Sequence, residues 1–275
     1  MLDRKAARDI LAFYLEAGVD APLADEAIDR FADDAAQTKP ASVAERPPAA
    51  LRPAPLQRTV AAPAAPAAAP AAPAAPDVAV MAAREAARGA ATLDELRAIM
   101  AAFEGCGLRK TAKQLVFADG NPQARVMFVG EAPGAEEDRA GLPFVGRSGK
   151  LLDRMLAAIG LDRGSVYIAN IIPWRPPGNR TPTPQESQIC LPFIARQIEL
   201  VNPDVLVCLG GPSSQTLLGL TEGIRRTRGR WLAYNTGARE IRAIATFHPA
   251  YLLRSPLEKR LAWRDFLAIK QALAS

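Results

Sequence analysis

Four short apolar runs, at 124–130, 166–171, 205–210 and 240–247, punctuate the chain beyond residue 91. Between them apolar residues recur at helical spacing, notably from Leu151 to Ile159 and from Gln185 to Val201. Runs of this length, bounded by Gly, Pro and Asn, are the pattern of strands buried on both faces. The helix from Gln185 is announced by Thr183-Pro184-Gln185-Glu186, a capping box with proline at the first helical position. Thr92-Leu93-Asp94-Glu95 marks another helix start. Strands alternating with helices imply right-handed crossovers. The pattern therefore predicts a three-layer α/β/α sandwich around a central four-stranded parallel sheet, formed by residues 91–275.

Upstream the periodicity changes. Ile10, Leu11, Tyr14 and Leu15 share one helical face, and Ile28 and Phe31 form a second group after the break near Gly18 and Pro22, so a short helical segment is expected over 1–36. From 37 to 90, and most densely between Pro40 and Pro76, Ala and Pro dominate. Such a composition has few large side chains to bury and prolines that interrupt helix, which makes it an extended linker. The N-terminal helices are too short for a core of their own. They either dock on another protein, with residues 1–34 engaging a repair or replication partner, or fold back on the main domain.

Charge separates the two parts. Residues 1–90 contain 10 Lys and Arg against 12 Asp and Glu, whereas 91–275 contain 24 against 17. The basic excess, with Arg225, Arg226, Arg228 and Arg230 in one stretch, suits a polyanion, although a solvated basic loop has the same composition. Three cysteines without an apolar leader suggest a reducing, cytoplasmic setting rather than a disulfide framework. No stretch approaches the roughly 20 apolar residues of a membrane span, and a monomer is expected.

In an open parallel sheet, ligands settle outside the carboxyl ends of the strands. That edge should gather Gly130 to Gly134, Asn170 to Pro177, Gly210 to Ser214, and the segment from His248, the only histidine in the chain, to Arg254. The Gly-rich turn lets backbone N–H groups approach a ligand, but it matches neither a phosphate loop nor a dinucleotide fingerprint.

The run GEAPGAEEDRAGLPFVGRSGKLLDRML from Gly130 to Leu156, followed by Val166 to Asn170, Arg175 to Arg180 and His248-Pro249-Ala250, resembles the family-four uracil-DNA glycosylases over roughly 100–275. The resemblance implies hydrolysis of the N-glycosidic bond of deoxyuridine in single- or double-stranded DNA, the first step of base excision repair. It implies that Phe144 stacks on an extruded uracil and that Asn170 reads its edge. An amide carries both a donor and an acceptor, matching O4 and N3–H of uracil but not cytosine. On the residues alone the structural reading comes first, with Phe144 as core packing between Pro143 and Val145 and Asn170 satisfying backbone groups at a strand end. The resemblance makes His248 the donor to O2 of the departing base and Glu131 the group that orients water, with Gly130, Ala132 and Glu137 in the substrate loop. Glu137 could alternatively hold that loop. Ala132 stands where better-known glycosylases carry an aspartate, which shifts weight to Glu131 and to positioning. Arg180, Ser213, Ser214, Arg228 and Arg254 are candidate phosphate contacts, and Leu252 and Leu253 candidates to fill the gap left by the flipped base.

The chain departs from that family at a metal centre. The resemblance implies a four-iron, four-sulfur cluster on four cysteines, but only Cys106 and Cys190 match ligand positions; Phe103 and Trp174 occupy the other two. Neither aromatic ligates iron, so no cluster and no other cofactor is expected. The two rings are expected to fill the vacated volume instead. Cys208 falls inside a strand. No lysine is placed to form a Schiff base, so a monofunctional glycosylase using water is expected. The competing assignments are a glycosylase of broader specificity, removing hypoxanthine or xanthine, and a noncatalytic protein that binds damaged DNA.

Overall fold

The structure, a computed structural model, describes residues 76–274. The helical segment 1–36, the docking role of residues 1–34 and most of the Ala/Pro stretch lie outside the described residues.

Helix α1 (Pro76–Arg88) begins the described chain, followed by α2 (Leu93–Ala102) and a single 3-10 turn at Gly107–Lys110. The linker assigned to 37–90 is thereby corrected, since its last part is helix. The physical reason is local: no proline follows Pro76 until Pro122, and alanine without proline is the strongest helix former. Ala79, Ala83 and Ala87, four residues apart, turn inward, and the last two join Leu96, Met100 and Phe193 in one apolar cluster. Thr92 caps α2, its hydroxyl accepting from the Glu95 N–H at 3.2 Å.

The sheet has six strands rather than four. These are β1 (Asp119–Gly120), β2 (Val126–Gly130), β3 (Tyr167–Asn170), β4 (Val205–Leu209), β5 (Trp231–Asn235) and β6 (Glu240–Thr246), in the order β1-β3-β2-β4-β6-β5. The inner four are parallel and are those the apolar runs predict. The added edges β1 and β5 pair antiparallel to β3 and β6. In β5 the residues alternate between exposed and half-buried, and β1 is two residues long, so neither carries the continuous apolar signal of its neighbours.

Alternate residues of the parallel strands feed two cores. Met127, Val129, Ala169, Leu206 and Cys208 face helix α5 (Pro184–Val201) through Ile189, Ile194 and Ile198. Phe128, Ile168, Val207 and Ile244 face α4 (Arg147–Ala158) and α9 (Lys259–Ala274) through Leu152, Leu156, Phe266 and Ile269. Both faces are covered, as a parallel sheet requires. Between these elements lie α3 (Ala135–Ala140), α6 (Gly211–Leu218), α7 (Ile224–Thr227) and α8 (Pro249–Arg254). Among the described residues no helix is long and apolar enough to cross a membrane.

Candidate active site

The register of the central strands builds the site. Gly130, the last residue of β2, lies directly beside Asn170, the last residue of β3. The Asn170 side chain is buried, and its Oδ1 is the one buried side-chain polar atom without a hydrogen-bond partner among the described residues. An unmet buried acceptor is costly, so it marks a place prepared for a donor from outside. Gly130 makes this arrangement possible: a Cβ there would stand 2.4 Å from Asn170 Oδ1 and 2.6 Å from the Phe144 ring.

Phe144 is held by its backbone. Its φ of 54° lies in the left-handed region, which a bulky aromatic seldom occupies. The Arg163 guanidinium donates to the carbonyls of Pro143 and Phe144 and pairs with Asp119 and Asp153. Gly149 of α4 lets that carbonyl pass where a Cβ would be 1.6 Å from it. The ring is thereby fixed 5.4 Å from the His248 imidazole, at 31°.

His248 follows β6 and caps α8, its Nδ1 accepting from the Ala250 N–H at 3.1 Å. The neutral ring therefore carries its proton on Nε2. Burial, and then the positive charge of Arg254, push its pKa down to about 4, against the opposing pull of Glu137. At neutral pH it is an uncharged donor. Burial raises the Glu131 carboxyl above its ordinary value. Glu137 is buried and receives the N–H groups of Gly134, Val145 and Gly146 at 2.9–3.1 Å, so its carboxylate joins the turn before α3 to the turn before α4.

These groups line one cavity of about 620 Å³ that contains Glu131, Ala132, Glu137, Phe144, Asn170, Arg180, His248 and Arg254. Ser148 and the backbone-rich Gly210-Gly211-Pro212 complete the wall. An adjoining hollow is lined by Arg147, Ser148, Leu253 and Arg254. Arg180 is exposed at the cavity rim and bonded through both terminal nitrogens to Glu186.

Four of the proposed DNA contacts are corrected by the structure. Ser213 and Ser214 are fully buried, and their hydroxyls donate inward to the carbonyls of Val129 at 2.6 Å and Gly211 at 2.9 Å. Leu252 is buried with Phe247 and Ala262 and cannot act as a wedge, whereas its neighbour Leu253 is exposed. Arg228 is bound to the buried Asp265, which also accepts from Thr246, and lies 5.8 Å from the centre of the Phe247 ring. It ties the basic segment to the core instead of facing a ligand. Arg163, which fixes the Phe144 turn, and Ser148 carried no signal in the sequence: nothing in Asp162-Arg163-Gly164 points 20 residues back along the chain.

At the positions where a cluster would sit, Cys106 and Cys190 are buried with their Sγ atoms 4.0 Å apart. Phe103 packs edge-on against Phe193 at 5.0 Å, and the Trp174 side chain is enclosed in the larger core. Among the described residues no three His, Cys, Asp or Glu side chains converge as a metal site.

The carboxyl edge of the parallel sheet thus brings an aromatic ring, a buried amide and a neutral imidazole into one pocket. The family model of the uracil DNA glycosylase superfamily matches residues 117–267, and the chain belongs to that superfamily. It is 40% identical over 182 residues to the type-4 uracil-DNA glycosylase of Archaeoglobus fulgidus, a match covering 65% of this chain and 92% of the relative. It is 44% identical over 151 residues to the type-4 enzyme of Thermotoga maritima, covering 54% and 77%. The type-5 uracil-DNA glycosylase of Mycobacterium tuberculosis is 29% identical over 202 residues, covering 60% and 75%.

Proposed function

We propose that this chain is a monofunctional uracil-DNA glycosylase that flips deoxyuridine out of DNA, single- or double-stranded, and hydrolyses its N-glycosidic bond to start base excision repair. The observation that carries this reading is the unpartnered Oδ1 of Asn170, buried beside the Phe144 ring and opening on the same cavity as His248. Uracil stacked on Phe144 presents N3–H to Oδ1 and O4 to the Asn170 amide N–H, whereas cytosine offers an amino group and an unprotonated N3. As the bond breaks, negative charge grows on the base, and His248 Nε2–H stabilises it at O2 without full proton transfer. Glu131 orients the attacking water and faces the positive charge growing on the sugar. Ala132 contributes no carboxylate, so geometry held by the Glu137 and Arg163 anchors carries more of the rate. Among the described residues no lysine lines the cavity, which favours water over a Schiff base.

A four-iron, four-sulfur cluster takes four thiolates. Two thiols and two aromatic rings do not fit it, and Asn170, His248 and Glu131 act without it. Leu253 and Arg254 at the cavity rim are proposed to meet the displaced strand, with Arg180 as a further phosphate contact.

Release of free uracil from single- and double-stranded oligonucleotides tests this reading. Metal-free protein is expected to excise uracil, while Asn170→Ala and His248→Ala lose at least about a hundredfold in rate. Tight binding of uracil-containing DNA with no released base would assign the protein to damage recognition instead.

A further inference from the structure

We propose that Cys106 and Cys190 form an oxidation site, at which a peroxide converts two facing thiols into an intramolecular disulfide. The pair is brought together only by the fold, since 84 residues separate the two positions. Cys106 lies between α2 and the 3-10 turn at Gly107–Lys110, and Cys190 lies within α5, whose start is fixed by the Thr183–Glu186 capping box. Both are at most 1% exposed, in a cluster whose neighbours Leu108, Trp174 and Ile189 are apolar, and each sulfur is the other's side-chain hydrogen-bond partner at 4.0 Å. A disulfide closes that separation to about 2 Å. The required movement falls on the segment around Cys106, which is held largely by short turn bonds such as Arg109 N to Cys106 O and Thr111 N to Leu108 O.

Access favours Cys106 as the first sulfur to react. It is flanked by exposed Glu104 and Gly107, whereas Cys190 is enclosed in the middle of a helix. The Cys106 thiolate attacks a peroxide oxygen, an S–O bond forms, the O–O bond breaks, and hydroxide leaves with the second oxygen. Cys190 then gives up its proton and attacks the Cys106 sulfur, the S–S bond forms, and the S–O bond breaks to release water. Two thiols and one hydrogen peroxide become one disulfide and two waters. The product bolts the α2 end to α5 by a covalent link across the positions where the superfamily resemblance implies a cluster. The third cysteine serves as an internal control: Cys208 is fully buried in β4, and burial pushes its thiol up to about 12.

The test needs no DNA and is independent of the glycosylase assignment. The full-length protein is treated with hydrogen peroxide, and its intact mass and non-reduced peptides are measured. The expected result is a loss of about 2 Da, a peptide joining Cys106 to Cys190, reversal by dithiothreitol, and a melting temperature several degrees higher. Cys208→Ser keeps the mass loss, and Cys190→Ser stops at a Cys106 sulfenic acid that reacts with dimedone. Three free thiols after treatment, or a sulfinic acid at Cys106 with no cross-linked peptide, overturns the proposal.

Discussion

Gly130→Ala adds one methyl group at the seam of β2 and β3 and tests how the site is held. The new carbon would stand 2.4 Å from Asn170 Oδ1 and 2.6 Å from the Phe144 ring, against ordinary contact beginning at 3.4 Å. Relief therefore needs a displacement of about 1 Å. The backbones cannot supply it: Asn170 is fixed by its parallel register, and Phe144 by Arg163 and the close passage of Gly149. The side chains must turn, and they are the reading amide and the stacking ring. A displacement of this size costs about a hundredfold in excision rate, or about 2.7 kcal/mol of transition-state stabilisation. Overpacking one methyl lowers stability by about 1–3 kcal/mol, which leaves the fold intact for assay. Single-turnover uracil release measured beside a urea unfolding curve separates the two effects. A folded Gly130→Ala protein that excises uracil within about threefold of the parent refutes the proposed site geometry.

Five further outcomes are expected. Trp174→Ala opens a cavity in the core and lowers stability by about 3–5 kcal/mol by chemical denaturation; Phe103→Cys with Trp174→Cys restores four thiols and yields iron uptake seen as visible absorption. Asp265→Ala strips the partner from half-buried Arg228 and costs about 3–5 kcal/mol in thermal unfolding, more than the double replacement Arg228→Met with Asp265→Leu. His248 titrates at about 4 when folded and near 6.5 when unfolded, so the unfolded chain takes up the proton first. Stability attributable to it is intact above pH 6.5 and declines by about 3 kcal/mol as pH falls to 4, a component that His248→Gln removes from the pH profile. Because burial raises the Glu131 carboxyl, the acid limb of the excision rate is displaced upward from that of an exposed glutamate and vanishes in Glu131→Gln.

The parallel strands, the capping box at Thr183 and the strand-end residues Glu131, Asn170 and His248 were legible because each is a local signal. An apolar run says where a strand ends, and in a parallel sheet those ends share an edge. What the run does not carry is direction. Ser213, Ser214 and Leu252 sit in the right segments yet turn inward, because one helical residue more or less rotates a side chain by about 100°. Arg228 has the sequence signature of a phosphate contact, but Asp265, 37 residues on, holds it. Helix α1 was hidden by averaging alanine with the prolines before it, and β5 by exposed Trp231, Ala233 and Asn235 on an edge strand.

The arginine pairings bear on how this protein senses salt. Among the described residues ten arginines, at 109, 125, 163, 175, 180, 196, 225, 228, 230 and 239, stand within 4 Å of a carboxylate oxygen. An arginine already facing an acid displaces few condensed counterions when a phosphate approaches. The logarithmic salt slope of DNA binding should therefore be smaller than the number of basic residues suggests, with Arg147 and Arg254 beside the cavity contributing more than paired residues such as Arg180. On the proposed function, raising salt should weaken nonspecific DNA binding by less than the net charge of the chain implies, because so many of its cations already face acids.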